Sequence, residues 1–185
     1  LRPPDLLQLP PQDAAQAVQE LARLGLAAEA SRLLSSGQAP FQIYLRAWAR
    51  RAAGDASGAD EDLAALEAMF GTDGELLKGD ALATADVMER LGDTAAAVRL
   101  WKRVIDSPPK GTLHDVNAHV QLARIAELSG DLNAALAHCE QALRISQSLD
   151  STTLTGPGGQ RGTEWLMRAI LELRRRLSAG TGAAP

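Results

Sequence analysis

Cysteine is nearly absent from this sequence. Cys139 is the only one in 185 residues, and one thiol cannot close an internal disulfide, so an oxidising compartment is neither needed nor excluded. Aromatic residues make up 3% of the chain and β-branched residues are few and scattered, which argues against a sheet. No run of about eighteen apolar residues occurs, so no segment is expected to span a membrane. The basic excess that phosphate binding demands is also missing, because the formal net charge is -4, and nucleic acid is not an expected partner. The chain begins at Leu1 rather than at a methionine and is read as a processed product or a piece of something longer. Its compartment stays open, with the cytoplasm favoured over the periplasm on cysteine content.

Residues that carry chemistry are sparse in the same way. The glycine-rich stretch GPGGQRGT, from Gly156 to Thr163, precedes a helical pattern. It lacks the spacing and the lysine of a phosphate-cradling loop, and no strand leads into it. His114 and His119 are spaced to face different sides of one helix, while His138 lies in another helix beside Cys139 and Glu140, so no metal-ligand spacing results. Cys139 occupies a position with apolar periodicity, where a thiol behaves as a small hydrophobe. No serine stands in a nucleophile-elbow motif, and no carboxylate pair has a spacing suited to acid and base work. Neither an enzyme nor a cofactor or metal site is expected.

What the sequence does contain is alanine, leucine and four phased glycines. Around Gly25, Gly54, Gly92 and Gly130 the chain reads RLGLAAEA, AAGDASGA, RLGDTAAA and LSGDLNAA, each time between two segments of helical apolar spacing. Seven residues before these glycines stand Val18, Ala47, Ala85 and Ala123; five after stand Ala30, Ala59, Ala97 and Ala135. Nine after stand Leu34, Leu63, Trp101 and Cys139, and twelve after stand Gly37, Leu66, Val104 and Ala142. Two antiparallel helices approach closely where small side chains face each other near a turn, and larger ones fill the gap further along. Glycine ends the first helix in a left-handed conformation, and Asp55, Asp93 and Asp131 then cap the second.

The periodicity predicts helices at about 12–23, 27–36, 40–53, 57–70, 80–91, 94–106, 113–129, 132–148 and 163–178. Residues 1–11, with four prolines, read as an extended lead, 12–149 as four hairpins, 150–162 as a flexible glycine-rich loop, and 179–185 as a disordered tail. The segment 163–178 carries Leu166, Ile170, Leu173 and Leu177 on one face and is expected to cap the apolar end of the array.

The register resembles the tetratricopeptide repeat, which places a small residue at position 8, glycine at 15, alanine at 20, a large apolar residue at 24 and proline near 32. Ala85, Gly92, Ala97, Trp101 and Pro109 occupy those places in the third repeat, and Ala123, Gly130, Ala135 and Cys139 in the fourth. The resemblance covers residues 12 to 148 and implies an all-α, right-handed superhelical stack of four antiparallel hairpins plus a C-terminal capping helix. The sequence departs from the family in two ways. Glycine spacings are 29, 38 and 38 instead of about 34, which predicts a distorted junction between the second and third hairpins. Ala81 and His119 also stand where a large aromatic is usual.

The resemblance further implies a non-enzymatic scaffold that binds a protein or peptide on its concave face, in a bacterial-type setting. Carried onto this register, that face holds Phe41, Tyr44, Trp48 and Arg51 from the second repeat, Asp86, Glu89 and Arg90 from the third, and Asn117, Gln121 and Arg124 from the fourth. Aromatics beside an arginine have the composition of a binding hot spot, and packing against the preceding hairpin is their plainer use. An alternative is a sensor segment of a larger bacterial signalling ATPase or transcriptional regulator, which repeats of nearly forty residues also resemble. Charge is uneven as well: 55–75 holds seven acidic and no basic residues, and the last helix carries Arg168, Arg174, Arg175 and Arg176. Two solvated faces account for this, and self-association through the 55–75 and 168–176 surfaces is the sharper alternative.

Overall fold

A computed structural model describes residues 5–70, 77–149 and 163–181, without the side chains of 180 and 181. The described residues form nine helices and no strand: α1 (Pro11–Arg23), α2 (Ala27–Leu33), α3 (Pro40–Ala52), α4 (Ala56–Met69), α5 (Lys78–Arg90), α6 (Thr94–Asp106), α7 (Leu113–Leu128), α8 (Leu132–Ser148) and α9 (Glu164–Thr181). The chain divides into two compact units, 1–100 and 101–185, with the division inside α6. The expected glycine-rich loop and most of the expected tail lie outside the described residues, but α9 continues through Thr181, past the predicted end at 178.

The glycine register is built as the residues dictate. Gly25, Gly54, Gly92 and Gly130 all have positive φ, between +77° and +90°. In each turn the glycine N–H returns to the carbonyl three residues back, and the following N–H to the carbonyl five back, as in Gly54 to Arg51 and Asp55 to Arg50. This double closure satisfies carbonyls that the helix end would otherwise leave bare. Asp55, Asp93 and Asp131 then accept from Gly58, Ala96 and Ala134 N–H groups at 3.0, 3.1 and 2.9 Å, capping α4, α6 and α8. The four alanines five residues after the glycines are all fully buried, so helix backbones close on one another there. A side chain larger than methyl would hold them apart.

In the first unit α3 packs on α2 and α4, and α1 packs on α2, α3 and α5. In a regular solenoid each repeat touches only its neighbours, so the contact of α1 with α5, between the first and third hairpins, is a departure. It fits the irregular glycine spacing, although the 71–76 junction itself lies outside the described residues. A polar pin holds the α2, α3 and α4 corner. The Arg46 guanidinium donates to both carboxylate oxygens of Asp62, at 2.6 to 3.1 Å, and to the carbonyls of Leu34 and Ser35 at 3.2 and 3.1 Å. Arg50 Nη1 adds bonds of 3.0 Å to Asp62 and 2.8 Å to the Gly58 carbonyl. Asp62, only 4% exposed, is therefore buried with its charge matched.

Within the N-terminal lead, residues 6–8 form a turn where the prolines suggest an extended chain. Gln8 N–H closes a turn on the Asp5 carbonyl at 3.0 Å and Leu7 N–H bonds the Asp5 side chain at 3.2 Å. Leu6 is 1% exposed, and the Gln42 side-chain amide donates to the Leu7 carbonyl at 3.1 Å. Burying one leucine contributes about 1.5–3 kcal/mol, enough to hold a short segment that polyproline geometry alone would leave free. The same Gln42 accepts from Ala39 N–H at 3.2 Å and so caps α3.

In the second unit α7 and α8 pair along their length and α9 lies on α8. Ile170 and Leu173 join Ala123, Ala135 and Cys139 in one buried cluster, while Leu166 joins Val116 and Ala142 in another. The stripe of α9 that was expected to face inward does so, and it covers the apolar side of the α7 and α8 hairpin. Thr112 and Asp115 form a reciprocal capping box at the start of α7, with bonds of 3.3 and 2.9 Å.

Candidate binding surfaces

Of the residues assigned to an inner face, α3 gathers Tyr44, Trp48 and Arg51. With Ala47, Leu63 and Asp93 they line a small cavity of about 60 Å³, room for a few water molecules at ~10–15 Å³ each. Tyr44 is 6% exposed and donates its hydroxyl to Asp93 Oδ2 at 3.1 Å. Burial and the Asp93 carboxylate push its pKa well above the ordinary tyrosine value. Tyr44 is thus committed to tying α3 to the capping residue of α6. Phe41 and Trp48 are half-buried and Arg51 is exposed, with its guanidinium 2.9 Å from Asp60. On α5, Asp86 and Glu89 are half-buried and Arg90 is exposed, while the Arg90 carbonyl accepts from Gln19 at 3.2 Å. In the second unit Asn117 and Arg124 are exposed and Gln121 half-buried, and Arg124 donates to Gln121 at 3.1 Å.

A larger concavity stands where the sequence reading placed none. Between α8 and α9 runs an open trough of about 440 Å³. Its apolar lining is Leu143 of α8 with Met167, Ile170 and Leu171 of α9, and Glu140, Arg144 and Arg174 edge it. Met167 is 46% and Leu171 65% exposed. The cause is local. Since Leu166, Ile170 and Leu173 point into the hairpin, the next stripe of α9, Met167, Leu171 and Arg174, is carried to its side at spacings of i, i+4 and i+7. That spacing was the available signal. Arg174 is paired with Glu140 at 2.7 Å, whereas Arg144 is exposed and has no carboxylate partner among the described residues.

The other arginines of α9 are also matched within the unit: Arg176 with Glu127, Arg175 with Glu172 at 2.8 Å and Arg168 with Glu164 at 4.0 Å. In the first unit Asp60 and Asp62 are held by arginines of α3. The charge asymmetry seen in the sequence is thus reduced locally by partners from neighbouring positions and helices.

His119 and His138, separate in the sequence reading, meet across α7 and α8 with their Nδ1 atoms 3.0 Å apart. Burial lowers the His119 pKa to about 4, helped by His138. Cys139 points the other way, into the cluster with Ile170 and Leu173, and burial pushes its thiol up to about 11. Among the described residues no group of three or more histidine, cysteine, aspartate or glutamate side chains could hold a metal ion, and no helix is long and apolar enough to cross a membrane. No protein-family model matches the sequence, and no curated protein matches it either.

Proposed function

We propose that this chain is a helical-repeat scaffold of the tetratricopeptide-like kind, with a right-handed stack of hairpins, that binds another protein through an amphipathic helical segment seated in the α8 and α9 trough. The observation that carries the reading is the trough itself: Met167 and Leu171 remain 46% and 65% exposed beside Leu143 and Ile170. A contiguous apolar strip rimmed by polar groups is where proteins meet. Its chemistry selects the occupant. An apolar helix face with anchors at i, i+3 or i+4 and i+7 suits a groove between two helices, Met167 can adapt to side chains of different shape, and Arg144, with no carboxylate partner among the described residues, calls for a carboxylate on the bound segment. The Trp48 region is the weaker site, since Tyr44 is consumed by Asp93 and the cavity there is about 60 Å³.

Fluorescently labelled amphipathic helical peptides of about four turns, identical except for acidic or basic flanking residues, test this by anisotropy. The acidic peptide is expected to bind and the basic one to bind at least tenfold more weakly. Leu171→Glu, at an exposed position, is expected to abolish binding while leaving helicity and melting unchanged. Equal binding of both peptides, no binding of either, or binding indifferent to Leu171→Glu would remove the proposal.

A further inference from the structure

The contact between His119 on α7 and His138 on α8 stands apart from the trough. Nδ1 to Nδ1 is 3.0 Å, with ring centroids 5.3 Å apart and planes tilted by 44°. That distance is a hydrogen bond, and it fixes the tautomers. With both rings neutral, one carries its proton on Nδ1 and donates, and the other carries its proton on Nε2 and accepts. Neither ring can be turned without losing the bond, because His119 is buried and His138 half-buried in the helix pair.

We propose that His119 and His138 form a proton-counting latch that holds α7 to α8 while the pair shares a single Nδ1 proton and releases when both rings become cations. The proton balance gives it two steps. A first added proton goes to the free Nε2 of the donor ring, making it an imidazolium whose Nδ1–H still donates, so the bridge persists as a charge-assisted bond. A second must go to the acceptor's Nδ1. Both Nδ1 atoms then carry hydrogen, the bridge is lost, and two positive charges face each other at contact distance.

The surroundings bias the latch toward the closed state. Burial of the ring opposes positive charge on His138, and Lys102 of α6 adds to it. Asp115, one turn back on α7, favours a charge on His119, but burial and His138 oppose it more strongly. The Asp115 carboxylate is engaged by the Thr112 N–H at 2.9 Å, and the α8 and α7 carboxylates nearest α9, Glu140 and Glu127, are held by Arg174 and Arg176. The latch therefore opens only in acid, below the ordinary histidine range, and what loosens is the hairpin on which α9 rests.

Nitrogen-15 spectra of the imidazoles in the full chain test the proposal directly. At neutral pH one of the two rings is expected as the Nδ1–H tautomer and the other as Nε2–H, with two-step titration on acidification. Amide exchange at the paired faces of α7 and α8 is expected to rise at least tenfold across the second step relative to helices of the first unit. His138→Asn, whose side-chain amide reaches the position of Nδ1 without titrating, is expected to remove that local rise. If this variant does not fold, the wild-type spectra decide alone. Both rings in the same neutral tautomer, a uniform rise of exchange through all helices, or a persistent local rise in a folded His138→Asn protein would overturn the latch. So would stoichiometric binding of added zinc at neutral pH with loss of both Nδ1 signals, because the pair would then be a ligand pair.

Discussion

Asp62 illustrates how much a single side chain holds in this protein. Its carboxylate receives Arg46 and Arg50 together, in a corner where Asp62 is 4% exposed. Removing it leaves two guanidinium groups without their shared anion, one of them Arg46, itself mostly buried. Asp62→Ala is therefore expected to cost about 3–5 kcal/mol in urea unfolding. The tyrosine at the next corner is worth less. Tyr44→Phe keeps the ring and deletes one hydroxyl bond to the Asp93 carboxylate, for an expected loss of about 1.5–3 kcal/mol. A loss indistinguishable from zero in either variant would mean that these bonds exchange with water without consequence. Sequence reading did not find the Arg46 and Asp62 pair, because its partners lie on different helices and neither belongs to the repeat register.

At the scale of elements, the hairpin turns were the most legible part. A glycine, an acidic cap and an alanine at fixed offsets each carry one physical requirement: a left-handed backbone, a bare N–H to satisfy, and close helix approach. Gly130 shows the first in isolation. Its φ is +83° and nothing lies within 4 Å of an added Cβ, so Gly130→Ala introduces backbone strain without a clash. The expected destabilisation is about 1–2 kcal/mol, readable as a lower melting temperature. A loss above that range would point to a steric problem that the open space around the turn does not contain.

The inward stripe of α9 was equally readable, since Leu166, Ile170 and Leu173 repeat at helical spacing. The trough beside it was readable only in part: the spacing of Met167, Leu171 and Arg174 stands in the sequence, but it acquires meaning only when α8 lies alongside. Whether Tyr44 binds or packs was open in the sequence for a related reason. Helical periodicity identifies the side of α3 on which it stands, but not that Asp93 of a later hairpin lies 3.1 Å from its hydroxyl. The anchored lead at Leu6 was hidden by its prolines, which signal an extended chain whether or not a buried leucine holds it.

For the molecule as a whole, the buried titratable groups set a pH window of stability. His119 has a pKa of about 4 in the fold against an ordinary 6.5, so on acidification the unfolded chain takes up its proton first. Its contribution is complete above pH 6.5 and lost as pH falls toward 4; His138 shifts in the same direction. Cys139 sets the alkaline side. Its pKa of about 11 against 9.0 means that the unfolded chain releases the proton first, and stability falls as pH rises through that interval. Urea midpoints measured under reducing conditions are expected to show a plateau between these limits. A plateau unchanged in His119→Asn and Cys139→Ala would show that other groups set it.

For the chain as a whole, the proposed binding site lies on α8 and α9 and not at the aromatic cluster of α3. Methyl-resolved NMR of the full chain during titration with the acidic amphipathic peptide separates these sites in one experiment. Saturating shifts are expected at the methyl groups of Leu143, Met167, Ile170 and Leu171, with those of Ala47 and Leu63 beside Trp48 unmoved. Shifts centred on Ala47 and Leu63, or none at the α8 and α9 methyl groups at saturating peptide, would contradict it.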